Sequence, residues 1–169
     1  ADDKVLTSWN GLAMAAFAEA GRALDEPRYL EAAERAAGFL LEHLRRPDGR
    51  LLHAWRRGRA GTDGFLEDYT HLAEGLLALY AATFEARWFH EAQGLMEHVI
   101  ARFAADVGFY DTDAAHEGLI VRPRELEDNA IPSGNAMACT VLLRLADLSN
   151  LEDYAALARA NMLQVQSLA

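Results

Sequence analysis

The sequence predicts an all-α fold of three helical hairpins. Three observations carry this. Helical runs that are apolar almost all round alternate with runs that are apolar on one stripe only. The pattern repeats at roughly 60 residues. Short breaks alternate with long connections, so each buried run turns tightly into its amphipathic partner and the next unit follows a long loop.

The first buried run spans about Ser8 to Leu24. From Trp9 to Ala20 its only charge is Glu19, so burial on all sides is expected, with Ser8 as a candidate cap. Asp25-Glu26-Pro27 breaks it, and Pro27 suits a first helical position. The second run, to about Arg46, carries Leu30, Ala33, Ala37, Leu40 and Leu44 on one stripe and charges on the other. Asp48-Gly49 marks a turn in the long connection that follows, and residues 51–55 read as a short strand.

The central run is Gly64 to Ala82. Leu66, Tyr69, Leu72, Ala73, Leu76 and Leu77 form one face. Asp68, His71, Gly75, Ala78 and Ala82 form a second, polar for one turn and then small. Such a helix is packed on two sides, with only its start near water. An amphipathic run from about Arg87 to Ala105 follows, with Trp88, Ala92, Leu95, Met96, Val99 and Phe103 on its stripe. In the second long connection, residues 108–111 and 119–121 read as short extended pieces. The last pair runs from about Ser133 to Leu148, with only Arg144 and Asp147 charged, and from about Glu152 to the end. The hairpins therefore span about 8–46, 65–105 and 133–168 of a single domain.

The repeat shows in paired segments. Arg28-Tyr29-Leu30-Glu31-Ala32-Ala33 matches Arg87-Trp88-Phe89-His90-Glu91-Ala92, and Asp48 to Leu51 matches Asp106 to Phe109. Buried helices forming an inner layer and amphipathic ones an outer layer satisfy both patterns. All long loops then lie at one end and lead into inner-helix N-termini, whose dipoles share one rim. A plain α-solenoid without a pocket is the alternative.

Composition narrows the partners. A net charge of -10 argues against nucleic acid and anionic membrane surfaces. No run approaches the roughly 18 uncharged apolar residues of a membrane span, and no signal peptide is visible, so a cytoplasmic location is expected. Cys139 is the sole cysteine and lies in an apolar run, which predicts a buried, inert thiol. The chain opens without Met and stops within a helical pattern, as expected for part of a longer protein.

Three polar clusters fall at the inner N-termini. These are Ser8-Trp9-Asn10, then Glu67-Asp68-Tyr69 with His71, then Glu127-Asp128-Asn129 leading to Ser133 and Asn135. Capping accounts for Ser8, Asp68 and Ser133 taken singly. Glu67, Asp68, His71, Glu127 and Asp128 are also the candidate catalytic groups. Two carboxylates would serve glycoside hydrolysis, and a histidine with a carboxylate would serve proton removal and return in sugar epimerisation. His53 is a further candidate, against a structural role in a hairpin. Trp9 and Tyr69 could stack on a sugar ring or fill the core. Asn10, Ser133 and Asn135 are candidate substrate contacts. Arg122 and Arg124 either pair within their loop or bind an anionic group. No metal spacing, phosphate loop or nucleophile elbow is present, and no cofactor is expected.

Three motifs carry a resemblance. They are Asp3-Lys4-Val5-Leu6-Thr7-Ser8-Trp9-Asn10-Gly11-Leu12, Gly64-Phe65-Leu66-Glu67-Asp68-Tyr69, and the long stretch from Val121 to Asn135 that includes Glu125-Leu126-Glu127-Asp128-Asn129-Ala130-Ile131-Pro132-Ser133-Gly134-Asn135. Together they closely resemble the YyaL family, which includes the spermatogenesis-associated thioredoxin-like proteins. The resemblance implies a six-hairpin α/α barrel, similar to N-acylglucosamine 2-epimerase and the six-hairpin glycosidases, preceded in the family by a thioredoxin-like domain. This chain would then be three of the six hairpins. The expected ligand is carbohydrate-like, bound at the inner-helix rim, with sugar epimerase or isomerase activity favoured over a hydrolase. A non-catalytic binding module beside a redox domain is the rival. An open arc of three hairpins also leaves apolar flanks, which a second copy in a homodimer or the missing barrel half would cover.

Overall fold

The computed structural model describes residues 3–115 and 121–168, with side chains described through residue 163. Six helices pair into three hairpins: α1 (Thr7–Leu24) with α2 (Pro27–His43), α3 (Leu66–Thr83) with α4 (Ala86–Arg102), and α5 (Gly134–Ser149) with α6 (Glu152–Leu168). The inner helices α1, α3 and α5 lie side by side, and α2, α4 and α6 back them. This is part of an α/α toroid.

α3 is the axis of the arc. Leu66, Asp68 to Ala73 and Gly75 to Leu79 are all buried, because α1, α4 and α5 pack around it. Its small second face lets α1 approach closely: a Cβ on Gly75 would sit 2.6 Å from the Gly11 carbonyl oxygen. α1 is not buried all round as its composition suggested. Met14, Ala18 and Gly21 are covered, but Phe17 and Leu24 are exposed, since α2 and α3 are the helices α1 packs on and its other flank faces the open end of the arc. Leu157, Met162 and Leu163 of α6 are exposed at the opposite end.

The repeat reaches backbone detail. Each inner helix ends on a left-handed residue whose N–H returns to the carbonyl four residues back: Asp25 to Gly21, Phe84 to Tyr80, Asn150 to Ala146. Two of these are the short polar types that tolerate positive φ, and one is not. Phe84 sits at φ 57° and is 80% exposed, so it gains little packing for its strain. Phe84→Asn is expected to stabilise the fold by roughly 0.5–1 kcal/mol, about 1–4 °C in Tm for a domain of this size. A calorimetric Tm at or below that of the parent would contradict this.

At the other end, each long loop opens with the same turn. Arg45 bridges Leu51 around Gly49, and Ala104 bridges Phe109 around Gly108, with both glycines at positive φ. The first loop then forms a three-stranded antiparallel sheet from β1 (Val5–Leu6), β2 (Leu52–Arg56) and β3 (Arg59–Asp63), in the order β1-β2-β3. β2 matches the expected strand, while β1 is too short and β3 too polar to read from sequence. The segment 108–111 forms the Phe109 bridge but no strand, and residues 119–120 lie outside the described residues. Cys139 is buried and unpaired, and burial pushes its thiol pKa up. No helix among the described residues is long and apolar enough to cross a membrane.

Candidate functional site

The three inner N-termini meet on one rim. Asp68, in the first turn of α3, is fully buried and ties α1 to α3. Its Oδ1 accepts the Ser8 backbone N–H of α1 at 3.0 Å. Its Oδ2 accepts the Phe65 N–H at 2.9 Å, one half of a capping box, and also meets His53 Nδ1 at 2.9 Å. On the other side of α3, His71 Nε2 lies 3.1 Å from the Pro132 carbonyl oxygen, just before α5. Gly134 opens α5 so close to α3 that a Cβ there would meet the Glu67 nitrogen at 3.0 Å.

The titratable groups brought together here are Glu67, Asp68 and His53. Their ligating atoms lie within 4.8 Å of one another. β2 delivers His53 over the start of α3, with its ring edge-on to Phe65 at 5.2 Å. Asp68 holds the Nδ1 side, so the imidazole presents Nε2 outward. This hydrogen bond raises the His53 pKa above its ordinary 6.5. Burial, and secondarily the Asp68 charge, raise the Glu67 carboxyl above 4.5. The Ser8 hydroxyl donates to Glu67 Oε1 at 3.4 Å. The same spacing suits a metal ion, although no sequence motif indicated one. Both Asp68 oxygens already accept N–H donors, which a cation would have to displace. The arrangement fits a hydrogen-bonded acid–base pair better.

Glu67 opens on a cavity of about 430 Å³ whose wall includes Phe65, Asp111, Glu125, Glu127, Pro132 and Ser133. Burial also raises the Asp111 carboxyl pKa. Glu127 is exposed on this wall, while Asp128 turns back to accept the Ser133 N–H at 2.9 Å. Ser133 caps α5 by accepting the Ala136 N–H at 3.2 Å.

Several expected site residues are occupied elsewhere. Ser8 lies inside α1 rather than capping it, because its N–H is spent on Asp68. Tyr69 is no sugar platform. It is 1% exposed, its ring stacks on His98 at 5.1 Å, and its hydroxyl accepts the Leu51 N–H at 2.8 Å. Burial pushes its pKa up to about 12. Asn135 does the same work one unit later, accepting the Phe109 N–H and donating to the Phe109 carbonyl, both at 3.0 Å. Each is a tether that holds the preceding loop turn to an inner helix. Arg122 stacks on Tyr110 at 4.1 Å and donates to the Arg102 and Thr112 carbonyls, so its guanidinium is held between the end of α4 and its own connection. His71 is fully buried on the Pro132 carbonyl, and burial lowers its pKa. Asn10 donates to the Leu6 carbonyl at 2.7 Å. Trp9 is exposed and Arg124 borders an adjoining depression with Asp111; neither lines the cavity. His53 was the weakest sequence candidate, and its role arises from a contact across 15 residues that no spacing encodes.

No family model matches the chain. Its homologues are spermatogenesis-associated protein 20 and related proteins of the YyaL-like family. Human spermatogenesis-associated protein 20 is 33% identical over 165 residues, and an uncharacterised Caenorhabditis elegans protein is 30% identical over 161. Each match takes in 90% of this chain, which spans 21–22% of the relatives' length. Among solved structures, two Bacteroides thetaiotaomicron proteins of glycoside hydrolase family 76 share the fold. One, titled an α-mannanase, aligns with a TM-score of 0.71 at 16% identity over 94% of this chain and 39% of its own. The other, titled a mannosidase, aligns at 0.75 and 18% identity over 96% and 44%. Three hairpins of this α/α-toroid fold are thus shared.

Proposed function

We propose that this rim binds a carbohydrate-like ligand and that Glu67 and His53 move a proton on it, as a sugar epimerase or isomerase requires. One observation carries the reading: a half-buried carboxyl with a raised pKa lies beside an imidazole whose orientation a buried aspartate fixes. In this reading the Glu67 carboxylate takes the proton from the carbon next to a sugar carbonyl. The His53 imidazolium donates to the carbonyl oxygen, and the steps reverse on the other face or the neighbouring carbon. The glycosidase neighbours suggest hydrolysis instead, which needs two carboxyls facing the ligand; Glu67 with Asp111, Glu125 or Glu127 of the same cavity is the candidate pair for it. Asp68 has no exposed surface and both its oxygens are engaged, so its part is to orient His53, and the imidazole it holds beside Glu67 favours proton transfer. The opposite wall of the site we assign to further hairpins of the same ring; light scattering showing this chain alone as a stable monomer at all concentrations would count against that.

The test is solvent exchange. The intact protein incubated in deuterium oxide with unlabelled aldoses and ketoses should place deuterium at the carbon next to the carbonyl, read by NMR. Release of reducing ends from mannan without such exchange would replace the reading with hydrolysis. The rate should follow a bell in pH. It rises as Glu67 ionises, above pH 4.5, and falls as His53 loses its proton, above pH 6.5. His53's contribution to stability runs the same way: fully present below 6.5, it fades as pH climbs past the raised folded value. In Asp68→Asn the alkaline limb should move to lower pH; an unmoved limb would detach His53 from it.

A further inference from the structure

The charge of the cavity limits what enters it. Glu67, Asp111, Glu125 and Glu127 contribute four carboxyls to its wall, and no Lys or Arg lines it among the described residues. The helix N-termini around it would ordinarily attract an anion through free N–H groups. Here the chain itself takes four of the N–H groups at these helix starts. Asp68 holds the Ser8 and Phe65 N–H groups, Asp128 holds that of Ser133, and the Ser133 hydroxyl holds that of Ala136. Arg122, the guanidinium that an anionic ligand would need from this loop, is bound to the Thr112 and Arg102 carbonyls and stacked on Tyr110. Arg124 borders the adjoining depression, and its charge acts on Asp111.

We infer that the ligand held in this cavity beside Glu67 carries no negative charge. A sugar with a free amine binds more tightly than its neutral parent, and both bind more tightly than the sugar phosphate or the uronate. This rests on the sugar-binding reading of the same rim and narrows its substrate class. The raised pKa values of Glu67 and Asp111 agree with it, since carboxyls held close together in a partly dry wall resist ionising until a cation arrives.

The experiment uses the intact protein and sets matched by charge: glucosamine, glucose, glucose 6-phosphate and glucuronate, with the manno and galacto equivalents. Affinities measured by calorimetry should fall in the order amine, neutral, anion, with about tenfold or more between amine and anion at low salt. The spread should shrink between about 20 mM and about 500 mM salt. It should also narrow in the Glu125→Gln, Glu127→Gln double variant. An anionic sugar bound as tightly as its neutral parent would overturn the inference. A second readout does not need a sugar. With 13C-labelled histidine and His53 assigned through His53→Gln, ethanolamine should shift the His53 signal and inorganic phosphate should not. If every sugar fails to bind or exchange while that contrast holds, the epimerase reading falls and the charge inference stands. A phosphate response equal to that of ethanolamine, or no response to ethanolamine, would defeat the charge inference whatever the sugars do.

Discussion

Asp68→Ala is expected to lose about 3 kcal/mol of stability and nearly all proton-transfer activity. Truncation leaves the Ser8 and Phe65 N–H groups and His53 Nδ1 without their acceptor at a fully buried position. Each orphaned buried donor costs roughly 1–3 kcal/mol, offset in part by water entering on the His53 side. The α1–α3 contact at the rim loosens, and His53 loses the group that orients it. Two companion variants separate these effects. Glu67→Gln keeps an oxygen for the Ser8 hydroxyl, so stability should change little while the exchange rate falls about 10²–10⁴-fold. Asp25→Ala, at the opposite end of α1 on an exposed left-handed residue, should cost about 1 kcal/mol or less and leave activity intact. Denaturant unfolding and deuterium exchange on all three variants decide the matter. Parallel losses of activity in Asp25→Ala and Asp68→Ala would remove Asp68 from the site.

The fold was legible where a residue's surroundings repeat along the chain. Asp48-Gly49 and Asp106-Val107-Gly108 announced the same turn twice, and both glycines do sit at positive φ around equivalent bridges. Gly75 and Ala78 on the second face of the central helix announced a close neighbour, which is α1. The site was legible only in part, because a polar residue at a helix start looks the same whether it meets a ligand or the chain's own backbone. Tyr69 and Asn135 occupy corresponding places and both hold a loop N–H, a role that depends on a turn folded back from 18 or 26 residues away. Asp68 was recognisable as a first-turn carboxylate. That it would serve α1, Phe65 and His53 at once required the hairpins to be set side by side. The cationic Arg122 read as a ligand contact because sequence shows charge and hides the carbonyls that absorb it.

Gly11→Ala should be among the most destabilising single-methyl additions the chain can receive, at about 3 kcal/mol or more. A Cβ at Gly11 would lie 2.5 Å from the His71 carbonyl carbon and oxygen and 2.6 Å from the Leu72 nitrogen. These are backbone atoms of a helix packed by α1, α4 and α5, so no side-chain rotation relieves the clash. Overpacking against movable side chains costs roughly 1–3 kcal/mol, and an immovable helix places this case at or beyond the top of that range. Gly75→Ala strikes the same crossing from the other helix, with its Cβ 2.6 Å from the Gly11 carbonyl oxygen and beside Met14. Once α1 has moved away to admit one methyl, the second meets less resistance. The double variant should therefore lose distinctly less than the sum of the two single losses. Gly94→Ala provides the opposite sign. Gly94 lies exposed in α4 with nothing within 4 Å of its Cβ position, so the substitution should stabilise by about 0.5–1 kcal/mol through helix propensity alone. Because α1 also carries Ser8 to Asp68, its retreat in Gly11→Ala should free the Ser8 N–H, speeding its hydrogen exchange before the protein unfolds globally. Additive losses at Gly11 and Gly75, or a Gly11 variant as stable as the parent, would show that α1 and α3 are not in the close contact described, and with it the shared rim would be lost.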